Sequence, residues 1–122
     1  MGTREIVTRY FECVNAGAWD DWLSLFADDI VMDEQLGGHT EGIAALRRAT
    51  EGLRSSKKFR NRPQKFIIDG NTAAVLWHIS TEGPRGEPIE ADGMNYYEIR
   101  NGKIAYFANY HDSRPFKPIL GA

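Results

Sequence analysis

The sequence predicts an α+β fold: a cone-shaped barrel of three N-terminal helices packed on a curved, mostly antiparallel sheet. Three observations lead there. Helical periodicities fill the first half of the chain, and strand-like alternation fills the second. Turn signals punctuate the second half, as hairpins require. Helices first and strands afterwards indicate segregated elements, not βαβ units. With 122 residues, the chain suits one domain, 1–122, large enough to bury a core without covalent staples.

The first helix is expected from Ile6, Val7, Tyr10, Phe11 and Val14, which recur at helical spacing until "NAG" at 15–17. Trp19, Trp22, Leu23 and Phe26 make a second apolar stripe, and "ADD" at 27–29 reads as a break. "IVM" at 30–32 is a short β-prone run, followed by "LGGHTEG", which has the chemistry of a loop. Thr40 is a candidate N-cap for a third helix carrying Ile43, Leu46 and Leu53. Four strands are then expected: "QKFII", "TAAVLWHIST", "IEADGMNYYEI" and "KIAYFANYH". Turns at Asp69-Gly70-Asn71 and Asn101-Gly102 and a Gly/Pro-rich break at 82–88 separate them. The concavity between helices and sheet is the expected place for a small molecule.

Charge and composition narrow the function. The formal net charge of −2 leaves no basic excess for phosphates, so no nucleic-acid partner is expected. No apolar run is long enough to span a membrane, and Arg4, Glu5 and Arg9 interrupt any signal-peptide pattern at the start. The single Cys13 cannot form an intramolecular disulfide, which suits a reducing, cytoplasmic compartment. His39, His78 and His111 lack the short spacing of metal ligands, and no Gly-rich loop joins a strand to a helix. No metal and no cofactor are therefore expected.

Alternation sets the candidate site. Asp33 and Glu34 should point to opposite faces of their strand, and so should Trp77 and His78. Ala91, Gly93, Asn95, Tyr97 and Ile99 share one face, which reads as the cavity side. Many aromatic residues remain for the other face, and a second copy of the chain would cover them, so a homodimer is expected.

The run "RYFECVNAGAWDDWLSLFADDIVMDEQLGG", then "HTEGIAAL" and the terminal "NGKI…YHD", resembles the nuclear transport factor 2-like superfamily. That superfamily holds ketosteroid isomerases and SnoaL-like polyketide cyclases, along with non-enzymatic members. The resemblance implies acid/base chemistry without a cofactor on a hydrophobic carbonyl compound: enolisation, isomerisation or cyclisation. The alternative is a non-catalytic small-molecule-binding domain with the same fold. By the isomerase pattern, Tyr10 stands for the oxyanion-hole tyrosine and Glu34 for the base. Asn95 falls on the second oxyanion donor, an aspartic acid in that family. By the cyclase pattern Asp112 is the acid/base, with His111 in place of a tryptophan. Asp112 is ranked slightly first, because the "GKI…YHD" spacing has no packing explanation. Trp77, His78, Tyr97, Phe107, Asn109 and His39 complete the set as candidate substrate-binding residues.

Overall fold

The computed structural model describes residues 1–54, 56 and 58–120. Helix α1 spans Thr3–Ala16 and buries Ile6, Val7, Tyr10, Phe11, Cys13 and Val14, the expected stripe. It ends where Gly17 takes the left-handed conformation (φ 69°), which glycine adopts without a Cβ penalty. Helix α2 is only Trp19–Leu23. Strand β1, Phe26–Glu34, follows at once and pairs with β2, Gly38–Glu41. Helices α3 (Ile43–Ala49) and α4 (Glu51–Arg54) divide the expected third helix at Thr50, whose hydroxyl donates to the Leu46 and Arg47 carbonyls. Strands β3 (Arg60–Asp69), β4 (Thr72–Glu82), β5 (Pro88–Arg100) and β6 (Lys103–His111) come next. A 3-10 turn, Arg114–Phe116, and helix α5, Lys117–Leu120, close the described chain.

Three local expectations change. "ADD" lies inside β1 and does not end an element. Its preference for irregular backbone emerges as a register shift between Phe26 and Val31, which leaves Asp28 and Asp29 exposed. Phe26 starts that strand, opposite Ile104, and does not extend the helix. His39 and Thr40 are strand residues, paired with Asp33 and Met32, so Thr40 is not an N-cap. Gly42 (φ 90°) makes the turn into α3 without a side-chain cap.

The six strands form one sheet in the order β2-β1-β6-β5-β4-β3. All pairs are antiparallel except β1 with β6. Register shifts at Pro63/Lys65 and Glu98/Ile99 add twist, which curves the sheet around the helices. The inner face carries Val75, Trp77 and Ile79 of β4, Ala91, Asn95 and Tyr97 of β5, and Phe107 of β6, all buried. Tyr10 of α1 closes on it, stacked on Phe107 at 5.7 Å and edge-on to Tyr97 at 5.2 Å. The aligned set Ala91, Asn95 and Tyr97 is buried as alternation required. No described helix is long and apolar enough to cross a membrane.

One polar clamp ties α1 to the sheet edge. The Asn15 carboxamide donates to the Asn61 carbonyl at 2.8 Å and accepts from the Asn61 N–H at 2.8 Å. Asn61 is buried on the outermost strand, where no further strand satisfies those groups. Asn15→Ala should therefore cost about 1–3 kcal/mol, since it strands a backbone donor and acceptor together. A urea midpoint unchanged from the parent would show that the clamp carries no stability.

Candidate functional site

The inner face carries a linked set of polar groups within its aromatic lining. Trp77 Nε1 donates to Asn95 Oδ1 at 2.7 Å, and Asn95 Nδ2 donates to the Tyr97 hydroxyl at 2.9 Å. The indole fits because position 93 is glycine: a Cβ there would lie 2.5 Å from Trp77 Cη2. Tyr10 is buried beside them. Burial pushes its phenol pKa up, and the charge of Glu34 adds to this; Trp22, Asn95 and Tyr97 oppose it by stabilising the anion. Burial likewise raises Tyr97.

Glu34 supplies the inward carboxylate. Asp33 turns to the outer face, where it accepts from the Tyr106 hydroxyl at 2.7 Å, so Glu34 turns inward as alternation demands. Burial raises the Glu34 pKa, against the Gly37 N–H and the charge of His111, which lower it. A carboxylate tuned this way is a better base near neutral pH. His111, at the end of β6, packs against Trp77 and Phe116, with ring centroids 5.8 and 5.0 Å away. Its Nδ1 lies 2.9 Å from the Asp112 carbonyl oxygen, an acceptor only. Nδ1 therefore carries a hydrogen, and in the neutral ring Nε2 keeps its lone pair. Asn109 Oδ1 accepts from the Gln35 N–H at 2.7 Å and so joins the β1–β2 turn to β6.

Tyr10, Glu34, Asn95, Tyr97, Trp77, Phe107, Asn109 and His111 thus share the inner face. The other three candidates stand elsewhere. Asp112 is exposed and held by Arg114, which reaches it with Nε at 2.9 Å and its backbone N–H at 2.9 Å. These contacts pull its pKa down to about 2, and a carboxylate held so low is a weak proton acceptor at neutral pH, which speaks against ranking it before Glu34. His78 lies on the outer face, bonded at 2.8 Å to both Asp92 and Glu90. His39 is also outside, between Asp33 at 2.7 Å and Glu41 at 2.8 Å. Both imidazoles have raised pKa values, because each hydrogen-bonds two carboxylates. Neither can reach a ligand on the inner face. Among the described residues, no cluster of His, Cys, Asp or Glu could hold a metal ion.

A groove of about 630 Å³ lies at the opposite end of the strands, between α2, the start of β1, α3 and the β5–β6 turn. Several of its charges are committed: Arg100 pairs with Asp29, Arg47 lies 4.0 Å from Asp20, and Lys103 donates to the Ser24 carbonyl. Side-chain chemistry, not the size of a depression, places the candidate site around Glu34. Sequence reading missed Trp22, taken only as part of an apolar stripe. Its indole nitrogen is buried without a hydrogen-bond partner, and no spacing in the sequence signals that.

The pattern of the SnoaL-like domain matches residues 7–107. The chain belongs to the SnoaL-like domain family. Its fold is that of the nuclear transport factor 2-like superfamily, as solved structures show. An NTF2-like protein of unknown function from Burkholderia pseudomallei superposes with a TM-score of 0.89 at 17% identity, over 100% of this chain and 99% of that one. TerC, co-crystallised with polyporic acid, gives 0.84 at 18% identity, over 98% of both chains. A candidate polyketide cyclase from Pseudomonas putida gives 0.81 at 23% identity, over 95% and 96%. No curated protein sequence matches the chain. At these identities the likeness is one of fold, and SnoaL-like folds host many chemistries.

The buried Glu34 has a stability consequence. Its folded-state pKa lies above the ordinary 4.5. The folded chain therefore holds that proton more tightly than the unfolded chain, and stability falls as pH rises through the raised value. Glu34→Gln removes this dependence. The variant should melt higher than the parent at pH 7, with the difference shrinking as pH falls through the raised value and levelling off below the ordinary 4.5. A melting difference independent of pH would contradict the assignment.

Proposed function

We propose that this SnoaL-like domain is a cofactor-independent acid/base enzyme acting on a hydrophobic carbonyl compound. The observation that carries this is the placement of Glu34: an inward carboxylate with a raised pKa, coupled to Tyr10 on one side and His111 on the other. In this reading a ketone or polyketide carbonyl lies on the inner face, its oxygen toward Tyr10 and Asn95. Glu34 takes a proton from the carbon alpha to the carbonyl. The C–H electron pair becomes the enolate double bond, and the carbonyl π pair moves onto oxygen, where the hydroxyl of Tyr10 meets the charge. Protonated Glu34 then returns the proton to a different carbon, an isomerisation. Alternatively, the enolate carbon attacks a second carbonyl, whose π pair moves onto its own oxygen and takes the proton back from Glu34, a cyclisation. His111 stabilises ionised Glu34 between turnovers. The candidate cyclase and the polyporic acid complex among the related structures support a ring-bearing carbonyl ligand.

A second reading has its own support. Asn95 already spends its oxygen on Trp77 and one amide hydrogen on Tyr97, leaving one hydrogen for a ligand. A site so committed suits a binding domain that holds a carbonyl compound without turnover.

Turnover of a panel of enones and polyketide-like diketones separates the two. Glu34→Gln should lower the rate about 10²–10⁴-fold, as loss of a general base does. Asp112→Asn should leave it near the parent value. The opposite pattern would restore Asp112 as base; full activity in both variants would refute either carboxylate; and binding without turnover would favour the second reading.

The proposal extends to assembly. Leu76 (41% exposed) and Tyr110 (55%) stand on the outer sheet face with Tyr96 and Tyr106, and this apolar content supports pairing with a second copy. Sedimentation at micromolar concentration should give the mass of a dimer, and a monomer would count against it.

A further inference from the structure

One end of the inner face is closed by the chain itself. Past β6 the backbone turns at Asp112 and runs as a short strap, residues 113–118, through the 3-10 turn into α5. Among the described residues after β6, Phe116 alone is buried, at 4% exposure, while Arg114, Lys117 and Ile119 around it are exposed. The Phe116 ring lies on His111, 5.0 Å between centroids, and the His111 ring lies in turn on Trp77 at 5.8 Å. The 3-10 turn packs on β5. Farther along, Pro118 meets the β4–β5 loop at Gly83, where a Cβ would lie 2.8 Å from Pro118 Cβ. The strap therefore has two seats, the imidazole of His111 and the bare backbone of Gly83.

Glu34 stands at this same end. In the parallel ladder Asp33 is opposite Ala108, so Glu34 comes level with Asn109. His111 follows two residues on, on the same face of β6. Glu34, Asn109 and His111 are half-buried, whereas Tyr10, Asn95 and Trp77 behind them are 7%, 2% and 1% exposed. Solvent thus reaches the inner face here, beside the strap.

The strap is lightly held. Among the described residues, it makes no hydrogen bond to the strands or to the other helices; its bonds run from Phe116 N–H to Ser113, from Lys117 N–H to Arg114 and from Arg114 to Asp112. The Asp112–Arg114 pair is exposed and shapes the turn without tying it to the sheet. A segment with one buried side chain and no ladder opens far more easily than a strand. Pro115 and Pro118 fix two of its φ angles, so it leaves as a unit.

We infer that Phe116 is a removable plug, and that the flat ring of a ligand takes its seat on His111 with the carbonyl toward Glu34. This rests on the carbonyl reading above and deepens it, since it names a planar, ring-bearing substrate class and the residue that selects it. A flat ring replaces the contact that the phenyl gives up on the imidazole, so the exchange costs little. An acyclic diketone leaves the seat unfilled and does not displace the plug.

Proteolysis of the full chain reads the exchange directly. Chymotrypsin cleaves after aromatic residues, and cleavage of a segment that opens and recloses quickly tracks its open population. The cut after Phe116, followed by mass, should become about fivefold faster or more in saturating 2-hydroxy-1,4-naphthoquinone. Cuts after Phe11 and Tyr97 should slow in the same digest, because binding stabilises the folded chain. Acyclic 2,4-pentanedione should leave the Phe116 cut unchanged. Phe116→Ala should bind the quinone about 3–10-fold tighter than the parent, since no closed form competes; removal of a merely structural ring would not tighten binding. Where that variant fails to fold, the parent digest decides. A Phe116 cut slowed or unmoved by the quinone, equal acceleration by both compounds, binding no tighter in folded Phe116→Ala, or no quinone binding would each overturn the inference. The two readings fail separately. Glu34-dependent turnover with an unmoved Phe116 cut would keep the enzyme and remove the plug. An accelerated cut without turnover would keep the plug on a binding domain.

Discussion

The indole of Trp77, lying on the bare backbone of Gly93, is the contact on which both core and site depend. It fills the middle of the concave face, between β5 and the end of β6. The same ring bonds Asn95 and backs His111. A methyl group at position 93 would collide with the ring and with His111 Cβ, 2.8 Å away. Packing and chemistry are therefore not separable here. The side chain that excludes water from the sheet also orders its polar groups.

Burial divides the titratable residues of the sheet into two populations. On the inner face, lost hydration dominates: it raises Glu34, Tyr10 and Tyr97 and keeps the phenols neutral. On the outer face, hydrogen bonds in water dominate, lowering Asp33 and Glu90 and raising His39 and His78, and exposed Asp112 just beyond β6 is lowered in the same way. The outer groups are stabilised in their charged forms, which suits them to structure and solubility. Among the described carboxylates with a shifted pKa, Glu34 alone is moved upward. A strand whose residues alternate between faces can thus place two neighbouring acids, Asp33 and Glu34, in opposite chemical roles.

Much of this was legible in the sequence, where residue type and period agree. The α1 stripe, the four C-terminal strands, the Asn101-Gly102 turn and the inward set around Asn95 follow from spacing alone. Asn101 and Gly102 both take positive φ, 52° and 75°, as the tight turn requires. The failures occur where a neighbour outweighs local preference. "ADD" reads as a break, but Arg100 on a distant strand captures Asp29 and the chain bulges instead. "GGHTEG" reads as a loop, but β1 offers it a ladder. Asp112 has the right spacing for a catalytic acid, yet Arg114, two residues on, claims it. His39 and His78 are histidines on the wrong side of the pleat. Alternation says that Trp77 and His78 part company, but not which one goes inside. The unpartnered Trp22 N–H depends on tertiary geometry and has no trace in the sequence.

The parallel pairing of β1 with β6 sets a time order on the making of the protein. Val31, Met32 and Asp33 meet Tyr106, Phe107 and Ala108, so strands far apart in the sequence must come together in the middle of the sheet. During synthesis the β1–β2 hairpin emerges early, and β3, β4 and β5 can join as a meander when they follow. β1 waits, one edge unpaired, until β6 has cleared the ribosome, an interval on the order of seconds. Closing so long a loop slows folding, and an open edge in that interval invites pairing with other chains. The carboxylate and the imidazole arrive on those two strands. Glu34 therefore meets His111 only after every strand between them has been made, and a chain cut short before β6 carries the carboxylate without its neighbour.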